Sequence, residues 1–286
     1  MNILITGANG YIAKNLIKKI SNNTKHNLTL LVREDSNIDD LLKYVDIENI
    51  IFYDGSIKSM RNLANYKIDL VFHLANYYPD SIRPNIPEEI ISSNLTLIAN
   101  VVTVLQDNTN SDIKNRNFRI INVTSYVISD RDENSLYKHT KKSAFNYLRN
   151  QNCQNYILYD TYGENDPRPK LINYLINYSN TGEKFNMKYS EDSQINLVYI
   201  KDVIDAFILA IDKNQKNDIF EIRCETLTLK EVVNTFNKIS EKQVNVIWPK
   251  KNLKNTIKIN IYNSPKNWKA KYSLITGLIE MFKNEI

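Results

Sequence analysis

Tyr137 and Lys141 lie four residues apart in a stretch whose apolar residues, Ala144, Phe145 and Leu148, recur at helical spacing. On a helix that interval puts both side chains on one face. A phenol ionises near ~10 and is a poor proton donor or base at neutral pH. An ammonium group held beside it stabilises the phenolate and brings the proton into the working range. Ser125 precedes the pair, at the end of the β-rich run Asn122-Val123-Thr124-Ser125. Its hydroxyl can orient a substrate oxygen by a hydrogen bond. The chemistry implied is proton transfer at a carbonyl or carbinol oxygen. In a chain with 18 tyrosines such a spacing is common by chance. Position along the fold has to give it meaning.

That position follows from the start of the chain. Gly7 and Gly10, two of only six glycines, occur in Thr6-Gly7-Ala8-Asn9-Gly10-Tyr11-Ile12-Ala13, directly after an apolar strand and at the opening of a helix. Gly7 allows a sharp strand-to-helix turn, and Gly10 leaves room for a pyrophosphate at the positive end of the helix. Ala13 is small enough to keep helix and sheet close. At the end of the second strand stands Val32-Arg33-Glu34. Arg33 suits the 2′-phosphate of NADP(H), the preferred cofactor on this reading, and Glu34 leaves NAD(H) open. Asp54-Gly55 ends the third strand, where a carboxylate can meet the adenine amino group. His73-Leu74-Ala75-Asn76 ends the fourth, where Leu74, Ala75 and Asn76 would lie along the cofactor and His73 reads as a strand-end imidazole. With a nicotinamide in place, the proton chemistry of Tyr137 pairs with hydride transfer.

Short β-rich runs alternate with helix-period segments, the pattern of βαβ units. Strands are expected at Ile3–Thr6, Leu28–Val32, Ile50–Tyr53, Leu70–His73, Ile120–Val123 and Tyr156–Tyr159, with helices at Tyr11–Ser21, Glu88–Leu105 and Ser135–Arg149. The strands are continuously apolar, as when helices cover both faces of a parallel sheet. After about Asp160 the rhythm changes. Helices are expected at Lys170–Tyr178, Val203–Asp212, Leu229–Ile239 and Leu274–Lys283, and strands at Leu197–Ile200, Phe220–Ile222 and Val244–Trp248. The fold class is α/β, a Rossmann-type doubly wound parallel sheet with a smaller C-terminal α+β lobe. Residues 1–160 form the dinucleotide-binding domain with the Ser/Tyr/Lys trio. Residues 161–286 are mainly a substrate-binding lobe, with some segments returning to the main sheet.

Composition narrows the partners. The hydrophobic share of 42% and charged share of 24% are those of an ordinary globular protein. Lysine and arginine are spread along the chain among acids, giving a net charge of +5, so no nucleic acid is expected. No apolar run approaches the ~18 residues that cross a bilayer, so no membrane is expected. Met1–Thr6 lacks a basic leader, and a cytoplasmic location is expected. Cys153, Cys224, His26, His73 and His139 have no metal-ligand spacing, and no metal is expected.

Taken together these motifs resemble the extended short-chain dehydrogenase/reductases over nearly the whole chain. Thr6–Ile12 matches the family's glycine turn, and His73-Leu74-Ala75 its fourth-strand signature. Asn94 matches a helix asparagine that supports the active site, and Ser125, Tyr137 and Lys141 match the catalytic trio. Tyr162–Arg168, Val198–Val203 and Trp268–Leu274 are similar to segments of its substrate lobe. The resemblance implies cofactor contacts from Gly7, Asn9, Gly10, Tyr11, Ile12, Asn94, Tyr137 and Lys141, and a nucleotide-sugar substrate. It also implies a homodimer through the helices at Glu88–Leu105 and Ser135–Arg149. Leu158–Gly163, Asn165–Leu171 and Ile195–Ile200 are similar to 4-ketoreductases of deoxysugar nucleotides, of the CDP-paratose/CDP-abequose synthase and dTDP-4-keto-6-deoxyglucose reductase types. Thr124, Asp160, Thr161, Arg168, Lys170 and Leu171 become candidate substrate contacts. Ile195-Asn196 replaces a common Arg-Asp pair, which leaves Arg168 or Lys170 to meet a diphosphate.

The resulting expectation is NAD(P)H-dependent reduction of the 4-keto group of a CDP- or dTDP-linked deoxyhexose, for a surface polysaccharide such as O-antigen or capsule. A 4-epimerase with retained NAD is the alternative. An NADP-binding regulatory protein without turnover is a third reading, disfavoured because Tyr137 and Lys141 are both present. A 4,6-dehydratase is disfavoured because Tyr126-Val127, not an acid pair, follows Ser125.

Overall fold

The computed structural model describes residues 1–23, 25–78, 86–107, 117–129, 135–212, 218–250 and 262–283, which include every candidate site residue. In chain order the first elements are β1 (Asn2–Thr6), α1 (Tyr11–Asn23), β2 (Asn27–Arg33), β3 (Ile50–Tyr53) and β4 (Leu70–His73). A helix follows in three pieces: α2 (Ile86–Ile91), a π-turn (Ser92–Thr96) and α3 (Leu97–Gln106). Then come β5 (Arg119–Ser125), α4 (Leu136–Leu148), β6 (Cys153–Leu158) and β7 (Asp160–Tyr162). The remainder comprises α5 (Leu171–Thr181), β8 (Lys184–Asn186), β9 (Gln194–Tyr199), α6 (Ile200–Asp212), β10 (Ile219–Ile222), β11 (Thr226–Thr228), α7 (Leu229–Ile239), β12 (Asn245–Ile247) and α8 (Leu274–Lys283).

Two compact units divide the chain. One holds 1–157 and 207–220, the other 158–206 and 221–286. The first is built on a seven-stranded sheet in the order β10-β6-β5-β4-β1-β2-β3. The pairs β1–β2, β2–β3, β1–β4 and β4–β5 are parallel. This is the doubly wound Rossmann-type architecture that the alternation of runs predicts. Strand order reverses between β1 and β4, and at such a switch point the turns after the two strands open a crevice. Leu4, Leu31, Val71 and Ile120 from the sheet pack with Ile98, Val101 and Leu105 of α3, all buried. Each such side chain contributes about 1.5–3 kcal/mol by leaving water.

Several boundaries depart from expectation for physical reasons. The sixth strand runs over Cys153–Leu158, not Tyr156–Tyr159. Gln154 and Asn155 hid its start, because polar residues seldom lie in a central strand. Asn155 does so by accepting a 2.7 Å hydrogen bond from Asn122 Nδ2 on β5. The helix expected at Glu88–Leu105 is broken by the π-turn. Ile86–Gln106 as a whole is also long and apolar enough by length and composition to cross a membrane, contrary to the reading that no such run exists. Its apolar residues Leu97, Ile98, Val101, Val102, Val104 and Leu105 are buried in the core.

In the second unit β9 pairs with β7 in parallel and with β11 antiparallel, and β8 pairs with β12. A capping box opens α7: Thr228 Oγ1 accepts from Glu231 N, and Thr228 N donates to Glu231 Oε2. Buried Asp202 accepts from the backbone N–H groups of Lys271 and Tyr272, while Trp268 Nε1 donates to Asp202 O at 2.9 Å. The Trp268–Leu274 segment is thereby tied to the start of α6. At Gly277 on α8 a Cβ would lie 2.1 Å from the hydroxyl of buried Tyr162. Gly277→Ala is therefore expected to cost about 1–3 kcal/mol of stability by overpacking, read by urea unfolding. An unchanged midpoint would show that Tyr162 can withdraw.

Candidate active site

The turn after β1 meets the end of β4. Gly7 has φ +64°, and a Cβ there would lie 2.6 Å from Ala75 Cα. Only glycine satisfies both the left-handed backbone and this close approach. Gly10 N donates to Gly7 O at 2.9 Å, and Lys14 N to Gly10 O at 2.9 Å, which starts α1. A Cβ on Gly10 would meet Gly7 O alone, at 3.1 Å, and otherwise enter open space. The first turn of α1 carries no acidic residue, so nothing there competes with an anion at the helix start. Asn9 is held by Nδ2 donating to Asn37 O at 2.9 Å, while its Oδ1 is buried without a partner. Tyr11 and Ile12 are half-buried beside the turn, and buried Ala13 lets α1 approach the sheet. A glycine cradle, an acid-free helix start and an unsatisfied asparagine oxygen fit a dinucleotide. When bound, a nicotinamide dinucleotide supplies or accepts the hydride of an oxidoreduction.

Arg33 ends β2 with a largely exposed side chain, its guanidinium 3.7 Å from Asp35. Asp54 is exposed after β3. Its Oδ1 accepts from Ser56 N at 2.8 Å, and that bond first of all holds the carboxyl below its usual range. Gly55 O accepts from Tyr53 Oη at 3.0 Å. Leu74 is half-buried, Ala75 buried and Asn76 exposed after β4. His73 is fully buried. Thr6 Oγ1 accepts from Ala75 N–H at 3.2 Å and shares a hydrogen bond with His73 Nδ1 at 2.9 Å. Burial, and secondarily the Lys141 charge, holds the imidazole well below its ordinary pKa. It is a neutral brace between β1 and β4.

β5 and α4 bring the trio into the first unit. Ser135 caps α4, its Oγ accepting from Lys138 N at 3.4 Å. Tyr137 is half-buried one turn ahead of Lys141 on the same helix. Lys141 is 3% exposed and donates from Nζ to Val123 O at 3.1 Å. Its ammonium therefore lies at the carboxyl end of β5, beside Thr124, which is buried, and Ser125, which is half-buried. Burial pushes its pKa down to about 8. Asn94, inside the π-turn, is fully buried. Its Oδ1 accepts from Tyr77 N at 2.8 Å, and its Nδ2 donates to Tyr77 O at 3.1 Å and to Thr140 Oγ1 at 3.4 Å. Asn94 therefore braces α4 and the segment after β4.

The other candidates fall in the second unit. Asp160 is paired with Lys170 at 3.1 Å. Thr161 is buried, and its carbonyl accepts from Arg168 Nη2 at 3.1 Å. Arg168 also donates from Nε and Nη2, both at 2.7 Å, to the nearly inaccessible carboxylate of Asp166. These bonds hold the guanidinium against its own loop. Leu171 is half-buried at the start of α5. Asn196, the second residue of the Ile195-Asn196 pair, is an internal tie: Nδ2 donates to Cys224 O at 2.7 Å and Oδ1 accepts from Cys224 N at 2.9 Å. Sequence reasoning missed Tyr78, whose ring meets that of Tyr137 edge to face at 4.9 Å. The signal for it was an aromatic pair two residues past the His73–Ala75 strand end.

Residues 3–222 match the NAD dependent epimerase/dehydratase family. The chain belongs to that family, a class of enzymes using a pyridine-nucleotide cofactor. Among characterised relatives it is similar to the CDP-abequose synthase of Yersinia pseudotuberculosis, 28% identical over 266 residues that cover 86% of this chain and 87% of that one. In fold it is similar to the UDP-glucuronic acid 4-epimerase of Bacillus cereus, solved with UDP-glucuronic acid and NAD. There the TM-score is 0.75 and the identity 17% over the whole of both chains. The dTDP-glucose 4,6-dehydratase of Bacillus anthracis shares the fold at a TM-score of 0.73 and 16% identity, over 99% of this chain and 96% of that one.

The buried ammonium carries a measurable cost. An ordinary lysine ionises near 10.5 and this one near 8; at neutral pH the difference amounts to about 3 kcal/mol against folding. Rising pH deprotonates the folded state first, so the penalty is whole below about pH 8 and fades toward 10.5. Lys141→Met, similar in volume and uncharged, is expected to be more stable than the parent by about 1–3 kcal/mol at neutral pH. The gap should close as the pH is raised. Urea unfolding at several pH values measures both, and a less stable variant at neutral pH would show that the site compensates the charge in full.

Proposed function

We propose that this protein is a cytoplasmic NADPH-dependent reductase of the 4-keto group of a nucleotide-linked deoxyhexose, CDP- or dTDP-linked, in deoxysugar synthesis for a surface polysaccharide. The observation that carries the reading is the Lys141 ammonium at Val123 O, one helical turn from Tyr137 and beside Ser125, in a chain similar to a CDP-abequose synthase. Ser125 and Tyr137 hold the keto oxygen by hydrogen bonds. As charge develops on that oxygen, Tyr137 gives up its phenolic proton to it. Lys141 stabilises the phenolate left behind, and solvent restores the proton.

Arg33 supports NADPH. It is exposed at the end of β2, and its nearest carboxylate is loosely placed. The epimerase reading is favoured by one observation, the fold likeness to the UDP-glucuronic acid 4-epimerase. The same trio serves hydride transfer in either direction. A homodimer through α2, α3 and α4 is part of the proposal; exposed Ile91, Leu136 and Tyr147 lie on these helices.

Oxidation of NADPH and NADH against CDP-, dTDP-, GDP- and UDP-linked 4-keto-6-deoxysugars, with mass analysis of the products, tests the reaction. Stoichiometric oxidation on one base is expected, and Tyr137→Phe should keep cofactor binding while losing turnover by about 10²–10⁴-fold. Isomerisation without net oxidation would instead establish the epimerase. Arg33→Ala should weaken NADPH more than NADH by about tenfold or more, as expected for loss of a charge-assisted phosphate contact. Equal losses, measured as dissociation constants, would remove Arg33 from phosphate recognition.

A further inference from the structure

Tyr78 is 70% exposed, so its ring is not spent on the core. Its neighbour Tyr77 has both backbone groups, N–H and C=O, bonded to the one side chain of Asn94. Asn94 also donates to Thr140 Oγ1, whose one proton is shared between Leu136 O at 3.0 Å and Tyr137 O at 2.9 Å. The backbone next to Tyr78 and the backbone of Tyr137 are thus fixed by one short chain of hydrogen bonds. From these two fixed points the rings meet at 4.9 Å between centroids and 88° between planes. Edge-to-face contact of this kind is favourable, and it restricts the rotation of both side chains.

We infer that Tyr78 is a positioning residue for Tyr137, its ring holding the phenol in the rotamer that presents the hydroxyl to the substrate oxygen. The inference rests on the proposed proton-donor role of Tyr137 and extends it to a residue outside the trio. The contact needs a ring and no hydroxyl. Phenylalanine at position 78 should therefore serve, and alanine should not. An edge-to-face pair biases the rotamer equilibrium by about threefold to tenfold, which sets the size of the effect.

The experiment compares the full chain with Tyr78→Phe and Tyr78→Ala in two measurements. The first is turnover of NADPH with whichever 4-keto-6-deoxysugar nucleotide is active in the panel, split into kcat and KM and followed with pH. The second is the ionisation of Tyr137, read from phenolate absorbance as the difference from the matching Tyr137→Phe protein. Tyr78→Ala should lower kcat by about threefold to tenfold, leave the NADPH dissociation constant unchanged and displace the Tyr137 ionisation. Tyr78→Phe should restore both. A rise in KM alone would overturn positioning and make Tyr78 a substrate contact, and equal defects in the two variants would overturn the role of the ring. If the parent turns over no sugar, the reductase reading fails, while the ionisation measurement still decides whether Tyr78 acts on Tyr137.

Discussion

A charged ammonium withdrawn from water has to be met by fixed partners, and Lys141 imposes that requirement on the sheet around it. The ladder between β4 and β5 ends at His73 opposite Asn122. Val123 lies one residue beyond, where its carbonyl accepts from Lys141. β4 must stop where it does, and β5 must run on, for that carbonyl to be available. The nearby imidazole of His73 must also stay uncharged. Burial, and secondarily the Lys141 charge itself, see to this, and the Thr6 hydroxyl that bonds His73 Nδ1 also binds Ala75 N–H, against which Gly7 packs. One electrostatic demand therefore links strand lengths, a neutral histidine and the glycine turn.

Much of this was legible in the sequence because it depends on local rules. β3 and β4 were placed residue for residue, as were α7 and α8, since each is a clean apolar run or a helix-period segment with its own cap or turn. Gly7 and Gly10 declared themselves by their rarity and their place between strand and helix. What stayed hidden depends on partners distant in sequence. Gln154 and Asn155 look like loop residues until Asn122 is seen across the sheet. Arg168 looks like a free cation until Asp166 is found holding it from two nitrogens. Tyr78 is marked only as half of an aromatic pair past β4, and nothing local says which ring it will meet.

The second unit shows the same economy with polar groups. Asp202, Asn196 and Glu164 are acids or amides in largely shielded places, and each is bonded to structure. Asp202 takes two backbone donors, Asn196 clasps Cys224, and Glu164 accepts from Tyr199 Oη at 2.5 Å while Lys201 bridges it to Glu280. Lys201 is then more than a surface charge, since it joins the loop after β7 to α8. A buried polar side chain used in this way specifies one packing, because moving it strands a donor or an acceptor.

The π-turn at Ser92–Thr96 acts as a phase shift. An α-helix advances each side chain by a fixed angle, so two faces set at its start stay set to its end. One wider turn inserts an extra step and rotates everything downstream relative to what came before. Here α3 can present a continuous apolar face to the sheet while Asn94, inside the widened turn, is aimed elsewhere, at Tyr77 and Thr140. In sequence terms this is a frame that tolerates no single-residue deletion. Losing one position would leave the helix unbroken and its hydrophobic period intact, yet would swing the asparagine off its targets.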